Sequence, residues 1–260
     1  MPTEYYIPPA TPPLAGRVKS LAVRLIRATS QPLLLIKSDL RRKRQQQQSR
    51  RVVNDYFSRP GPKYLQIGCG RNLHTGWLNT DIYTDQGDVA YLDATQPFPL
   101  PDNAFDAVYC EHVIEHIGYD EGQVMLREAL RVLRPGGRIR LATPDMARFL
   151  ALYARQPTPE ERTYMEWSMR QHTPQRAVNN MAAHTINTMF TSWGHRFLYD
   201  RHTLTEALAS AGFVAVAQGS VGQSDYPHLR GLERHDQEIG EANNRFETLV
   251  MEAAKPSLTD

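Results

Sequence analysis

With 260 residues, 41% of them hydrophobic, the chain is long enough to bury a full core, which excludes a disordered protein. Two cysteines, Cys69 and Cys110, are too few and too far apart for a disulfide framework, and no apolar run nears the ~18 residues of a membrane span, so a reducing cytoplasmic setting is expected. The formal charge of +2 conceals a division: eleven Lys or Arg and one acid, Asp39, lie between Arg17 and Arg51, giving that stretch +10 and leaving −8 for the rest.

The first 55 residues read as a basic arm. Five prolines among residues 2–13 predict extended chain, and Val18, Leu21, Ala22 and Leu25 then recur at helical spacing opposite Arg17, Arg24 and Arg27. The same arginines break the apolar segment Leu21 to Ile26 and argue against a secretion signal. The run Arg41–Arg44 followed by Gln45–Gln48 predicts a polar helix or linker, and Pro60-Gly61-Pro62 punctuates the entry to the body, taken as residues 56–260.

From Lys63 onward strand and helix signals alternate. Strands are expected at Tyr64–Ile67, Trp77–Asp81, Val89–Leu92, Phe105–Cys110 and Arg138–Ala142, a helix at Gln123–Leu133, and a turn at Pro135-Gly136-Gly137. This order implies an α/β fold with a parallel sheet covered by helices. A helical insertion of about residues 146–199 follows, in which Thr158-Pro159-Glu160-Glu161 has the form of a capping box. Met165, Trp167 and Met169 within it are expected to pack. The alternation resumes with a helix at Thr203–Ala211 closed by Gly212, a strand at Phe213–Ala217 and a last strand at Thr248–Ala253.

The chemistry concentrates where strands end. Gly68-Cys69-Gly70 closes the first strand with bare backbone, Asp81 ends the second where a carboxylate can hold a ribose diol, and Asp93 with Ala94 ends the third within reach of an adenine amino group. A dinucleotide needs a third glycine where this chain has Leu73, so a pyrophosphate is not provided for.

Leu65-Gln66-Ile67-Gly68-Cys69-Gly70, Gly76-Trp77-Leu78-Asn79-Thr80-Asp81, Phe105-Asp106-Ala107-Val108 and Arg131-Val132-Leu133-Arg134-Pro135-Gly136-Gly137 together resemble class I methyltransferases dependent on S-adenosyl-L-methionine (SAM). Glu111-His112-Val113-Ile114-Glu115-His116, Ala142-Thr143-Pro144-Asp145 and Gly194-His195-Arg196-Phe197 resemble, more narrowly, a bacterial methyltransferase group associated with polysaccharide and cell-envelope glycan synthesis. The resemblance implies a Rossmann-like, seven-stranded, mostly parallel sheet in the order 3-2-1-4-5-7-6, helices on both faces, and SAM as cofactor. The contacts it implies are Gly68, Cys69, Gly70, Asp81, Ile82, Asp93, Ala94 and Glu111. Only six residues separate Gly70 from Trp77, so either the first helix is cut to a turn or the second strand begins late, and the placing of Asp81 depends on which.

His112-Val113-Ile114-Glu115-His116 also fits a zinc-hydrolase pattern, but it follows a buried strand and precedes a parallel-sheet turn, so no metal is expected; Glu115 and His116 are equally well read as local capping groups. A sugar hydroxyl as methyl acceptor needs a base, and His112, His195 and His116 are the candidates. His172, Asn179, Asn180, His184 and Asn187 of the insertion suit either a hydroxyl-rich acceptor or a solvated face, and His228, Arg230, Glu233 and His235 either line the same cleft or occupy a loop. The arm suits peripheral contact with an anionic membrane or packing on its own acidic body or a second subunit; without aromatic residues between Arg17 and Arg51, it suits nucleic acid poorly. A SAM-binding protein without catalysis and an RNA methyltransferase are the competing functions.

Overall fold

The computed structural model describes residues 45–83, 87–172 and 181–257. The expected basic helix at Arg17–Ala28, Asn179 and Asn180 lie outside the described residues. From residue 48 on, the chain forms one compact unit. Its first element is helix α1 (45–58), whose Val52, Val53, Tyr56 and Phe57 pack on the sheet core, so residues 48–55 are built into the body. The Tyr56 hydroxyl accepts from the Tyr64 amide at 2.6 Å and donates to the Tyr64 carbonyl at 2.9 Å, fixing where the first strand begins.

Seven strands follow: β1 (Tyr64–Ile67), β2 (Leu78–Asp81), β3 (Ala90–Tyr91), β4 (Phe105–Glu111), β5 (Leu133–Pro144), β6 (Val214–Gly219) and β7 (Thr248–Ala254). They form one sheet ordered β3-β2-β1-β4-β5-β7-β6, with β7 antiparallel to both its neighbours and the first five strands parallel. The parallel strands β1 and β4 are almost wholly buried, as strands covered on both faces must be.

Two expectations about local structure are corrected. Pro135-Gly136-Gly137 is not a turn between elements but a bulge inside β5: the register with β4 jumps from Phe105–Leu133 to Ala107–Arg138. Lys255, from the far end of the chain, holds it in the sheet, accepting from the Gly136 amide at 3.1 Å and donating to the Gly137 carbonyl at 2.9 Å. Helix α2 (Tyr119–Val132) begins a turn before Gln123, because Glu121 reaches back to the Gly118 amide at 2.8 Å. The first crossover helix is indeed reduced to turns. Asn79 clamps this short link, accepting from the His74 amide at 2.9 Å and donating to its carbonyl at 3.1 Å, and Asp81 stays at the end of β2.

The two faces of the sheet are covered differently. Val108 and Cys110 of β4 join a large cluster with α1, α2 and α6 (Arg201–Ala211). On the other face Ala107 and Tyr109 meet Leu229 and Leu232 of the β6–β7 connection, with Tyr226 packed against them, in place of a long helix. Arg140, level with Tyr109 in the register, is fully buried and anchors this connection. Its guanidinium donates to Glu233 (2.6 Å), Glu252 (2.5 Å) and the carbonyls of Ser220 and Gln223 (both 2.9 Å). A charge without water survives there only because its donors are matched.

Between β5 and α6 lies the insertion, comprising α3 (Met146–Ala154), α4 (Pro159–His172) and α5 (Met181–Thr191), with its own core of Phe149, Leu152, Tyr164, Met165, Met189 and Leu198. The capping box is formed: the Thr158 amide donates to Glu161 at 2.8 Å and the Glu161 amide to Thr158 Oγ1 at 3.2 Å. Asp200 caps α6 and Gly212, at φ +103°, ends it. Two short helices, α7 (Asp236–Ile239) and α8 (Glu241–Glu247), lead into β7. Among the described residues no helix is long and apolar enough to cross a membrane.

Candidate active site

A cavity of about 630 Å³ opens at the carboxyl ends of β1, β4 and β5, a size within the range of small-ligand sites. One wall is the loop Gly68 to Asn72. Gly68 has φ +66°, and a Cβ there would stand 2.2 Å from Val113 Cγ2, so no side chain fits. Gly70, at φ +52°, would direct a Cβ into open space, leaving bare backbone toward the cavity.

Asp81 lies one hydrogen bond behind this loop. Its carboxylate accepts from the Gly70 amide at 2.9 Å and the Tyr83 amide at 2.8 Å. Asp93 closes a tight turn by accepting from the amide and hydroxyl of Thr95, at 2.9 and 2.7 Å, and Ala94 packs on the core. Asp81, half-exposed Ile82, Asp93 and Ala94 are not among the residues lining the cavity; Gly68, Cys69, Gly70, Glu111, His112, His116 and His195 are. Burial, with the charge of Asp81, pushes the Cys69 thiol up to about 12, so it carries no nucleophile.

The opposite wall is built of histidines. Glu111 ends β4 and accepts from the amides of Arg234 (3.0 Å) and His235 (3.1 Å), which brings His235 into the cavity; burial raises this carboxyl above its ordinary value against those two amides. His112 has the left-handed φ of +50°, rare for a residue with a side chain. Its Nδ1 lies 2.9 Å from Glu115, which is fully buried and also accepts from the Thr143 hydroxyl at 3.0 Å. Burial opposes a charge on His112, but the hydrogen bond and charge of Glu115 outweigh it and lift the imidazole to about 9. The same contact holds Glu115 below the usual carboxylate range although burial pushes the other way. The Nε2 of His112 is buried without a partner.

Ile114–His116 forms a single 3-10 turn, so the two histidines of the zinc-like pattern do not share a helical face. His112 lies against His235, ring centroids 4.1 Å apart, whereas His116 stands edge-on to His195 at 4.9 Å. The second pairing follows from the Arg196 and Phe197 amides donating to the Glu115 carbonyl at 2.7 and 3.2 Å, which docks the insertion's exit beside the turn. His195 Nδ1 lies 2.6 Å from the Met189 carbonyl. A carbonyl only accepts, so the proton sits on Nδ1 and Nε2 of the neutral ring keeps its lone pair. Burial holds this imidazole below its ordinary value, against the pull of the carbonyl.

Of the other named polar residues, His172 lines the cavity and stands edge-on to Trp193 at 4.6 Å. His184 and Asn187 are not among the lining residues. His228 stacks on Tyr64 and Glu233 binds Arg140, so of the four candidates in the β6–β7 connection only His235 reaches the site. Sequence reasoning missed Glu247, buried at the end of α8, which bonds His235 Nε2 at 3.0 Å and accepts from the Tyr164 hydroxyl at 2.5 Å. The available signal was an acid placed directly before the apolar strand Thr248–Ala254.

Residues 65–141 match the family described as a methyltransferase domain. Over 112 residues the chain is 30% identical to an uncharacterized 37.1 kDa protein in transposon TN4556 of Streptomyces fradiae, covering 34% of this chain and 32% of that protein. Over 107 residues it is 33% identical to a Mycolicibacterium smegmatis protein described as a probable S-adenosylmethionine-dependent methyltransferase, covering 34% and 40%. The chain therefore matches over about a third of the length of these curated relatives. Similar solved structures include a SAM-dependent methyltransferase from Archaeoglobus fulgidus, 18% identical, covering 85% of this chain and 93% of that one with a TM-score of 0.43. Another from Mesorhizobium loti is 17% identical, covering 75% and 91%, also with a TM-score of 0.43.

Proposed function

We propose that this chain, whose residues 65–141 match the methyltransferase domain family, is a class I SAM-dependent methyltransferase that transfers a methyl group to a hydroxyl of a sugar or glycoconjugate, with His195 as general base. SAM is the methyl donor, and when bound it supplies an electrophilic methyl on a sulfonium. The residues present fit it. Gly68 and Gly70 offer a wall free of side chains, and Leu73 replaces the glycine a pyrophosphate would need. Glu111, Glu238 and Glu247 give the cavity acidic groups suited to a cation. In this reading Asp81 holds the ribose, Asp93 and Ala94 the adenine, with Cys69 and Ile82 completing the contacts.

The observation that carries the acceptor reading is the hydrogen bond from His195 to the Met189 carbonyl, which leaves Nε2 free to take a proton inside the cavity. A hydroxyl needs such a base because its own pKa is far above neutrality, and positioning supplies the rest of the rate. His112, paired with buried Glu115, holds its proton and is less suited to the task. Trp167 and Trp193 of the insertion line the cavity and offer aromatic faces to a hydroxyl-rich ring. The basic arm would hold the enzyme at the cytoplasmic membrane surface, near lipid-linked glycans.

The test is formation of S-adenosylhomocysteine from SAM with sugars, nucleotide sugars, amines and RNA offered separately. Turnover with the sugars, lost in His195→Ala, is expected. Turnover confined to amines or RNA would overturn the acceptor reading, and failure to bind SAM would overturn the family reading for this chain.

A further inference from the structure

We propose that His112, His235 and Glu247 form a binding site for a divalent first-row transition ion, beside the methyl-transfer centre. One donor atom from each lies within 4.8 Å of the other two, and all three residues line the cavity. Ligands about 2.1 Å from a tetrahedral ion stand roughly 3.4 Å apart, so closure needs side-chain shifts on the order of 1 Å.

Each donor is already held by a partner behind it. His112 Nδ1 is engaged by Glu115, itself fixed by the Thr143 hydroxyl, and this directs Nε2 forward; the incoming cation displaces the Nε2 proton to solvent. A carboxylate behind an imidazole is how proteins orient histidine ligands. The Nε2 it directs is shielded from solvent and has no hydrogen-bond partner, a costly state for a polar atom that a ligand would relieve. Glu247 is oriented by the Tyr164 hydroxyl, and His235 by its amide on Glu111. The left-handed backbone of His112 adds a strained residue at this point, as functional positions often do. A second cluster, Glu115, His116 and His195, is less suited: both Glu115 oxygens and His195 Nδ1 are tied to groups outside that cluster, whereas Glu247 Oε1 already faces His235 within the first.

Two imidazoles and one carboxylate select a transition ion over magnesium or calcium, and three protein ligands leave positions open toward the cavity. On the methyl-transfer reading above, the ion binds the acceptor hydroxyl as a Lewis acid. The O–H bond then breaks with its proton passing to His195, the electron pair stays on oxygen, and no oxidant or reductant is needed.

The test is titration of the metal-stripped full chain with Co²⁺, followed by visible absorption and calorimetry. One Co²⁺ per chain with ligand-field bands is expected, weakened at least tenfold by His235→Ala. Glu115→Gln leaves all three donors in place and should weaken binding by about 10–100-fold through the lost orientation of His112. His202→Ala, on the exposed side of α6, should change nothing. Absence of stoichiometric uptake, or equal uptake by His235→Ala, overturns the site; if that variant does not fold, the near-isosteric Glu247→Gln decides in its place. SAM binding is measured on the same samples. SAM bound without Co²⁺ uptake overturns the ion site and leaves methyl transfer standing, whereas Co²⁺ uptake without SAM binding upholds the site and overturns the methyl-transfer reading.

Discussion

The two walls of the cavity hold their polar groups in opposite ways. Behind the glycine wall the Asp81 carboxylate accepts from the amides of Gly70 and Tyr83, all within one short stretch of chain. On the histidine wall four imidazoles arrive from three distant segments, and three of them, His112, His195 and His235, have one ring nitrogen fixed by Glu115, the Met189 carbonyl and Glu247. On the proposed function the first arrangement holds a small molecule, and the second supplies groups that exchange protons or bind ions. The contrast separates holding from reacting.

The largest expected effect therefore falls on the histidine wall. His195→Ala should lower kcat by about 10²–10⁴-fold with the dissociation constant of SAM nearly unchanged, measured by steady-state kinetics and calorimetry. An equal loss of SAM affinity would collapse the distinction between the walls. Arg140→Met leaves Glu233 and Glu252 buried without their cation and should cost about 3–5 kcal/mol of stability in denaturant unfolding. Asp81→Ala should weaken SAM binding by about 10–100-fold and leave kcat at saturating donor close to wild type.

The smallest effect is on pH dependence. His195 must be unprotonated to act, and burial holds its folded value below the usual imidazole value of about 6.5, so kcat/KM should stay level above that pH and fall only on the acid side. The same depression favours the folded state above the unfolded value, a contribution that fades as pH drops through the folded one. A profile whose acid limb lies above neutrality would move the base to another residue.

The contrast also explains what could be read in advance. The turn Gly68-Cys69-Gly70 and the place of Asp81 at the end of β2 were legible because each signals its backbone position locally, as did Asp200 and Gly212 at the ends of α6. Pro135-Gly136-Gly137 misled because its ladder partner, Lys255, is more than a hundred residues away. The start of α2 was missed because Gly118 has no capping side chain and Glu121 supplies the bond instead. His116 and His195 could each be nominated, but their pairing depends on amides of the insertion's exit meeting the Glu115 carbonyl, which no local pattern encodes. Glu247 was invisible for the same reason: its meaning comes from Tyr164 and His235.

Arg140 threads the β6–β7 connection to the middle of the sheet at several points, like a rivet through two plates. A surface loop would normally open and close on its own, carrying His235 in and out of the cavity. Here the amides bordering Leu229 and Leu232 should exchange with deuterium as slowly as those of β4, because the loop cannot lift without drawing a guanidinium out of the interior.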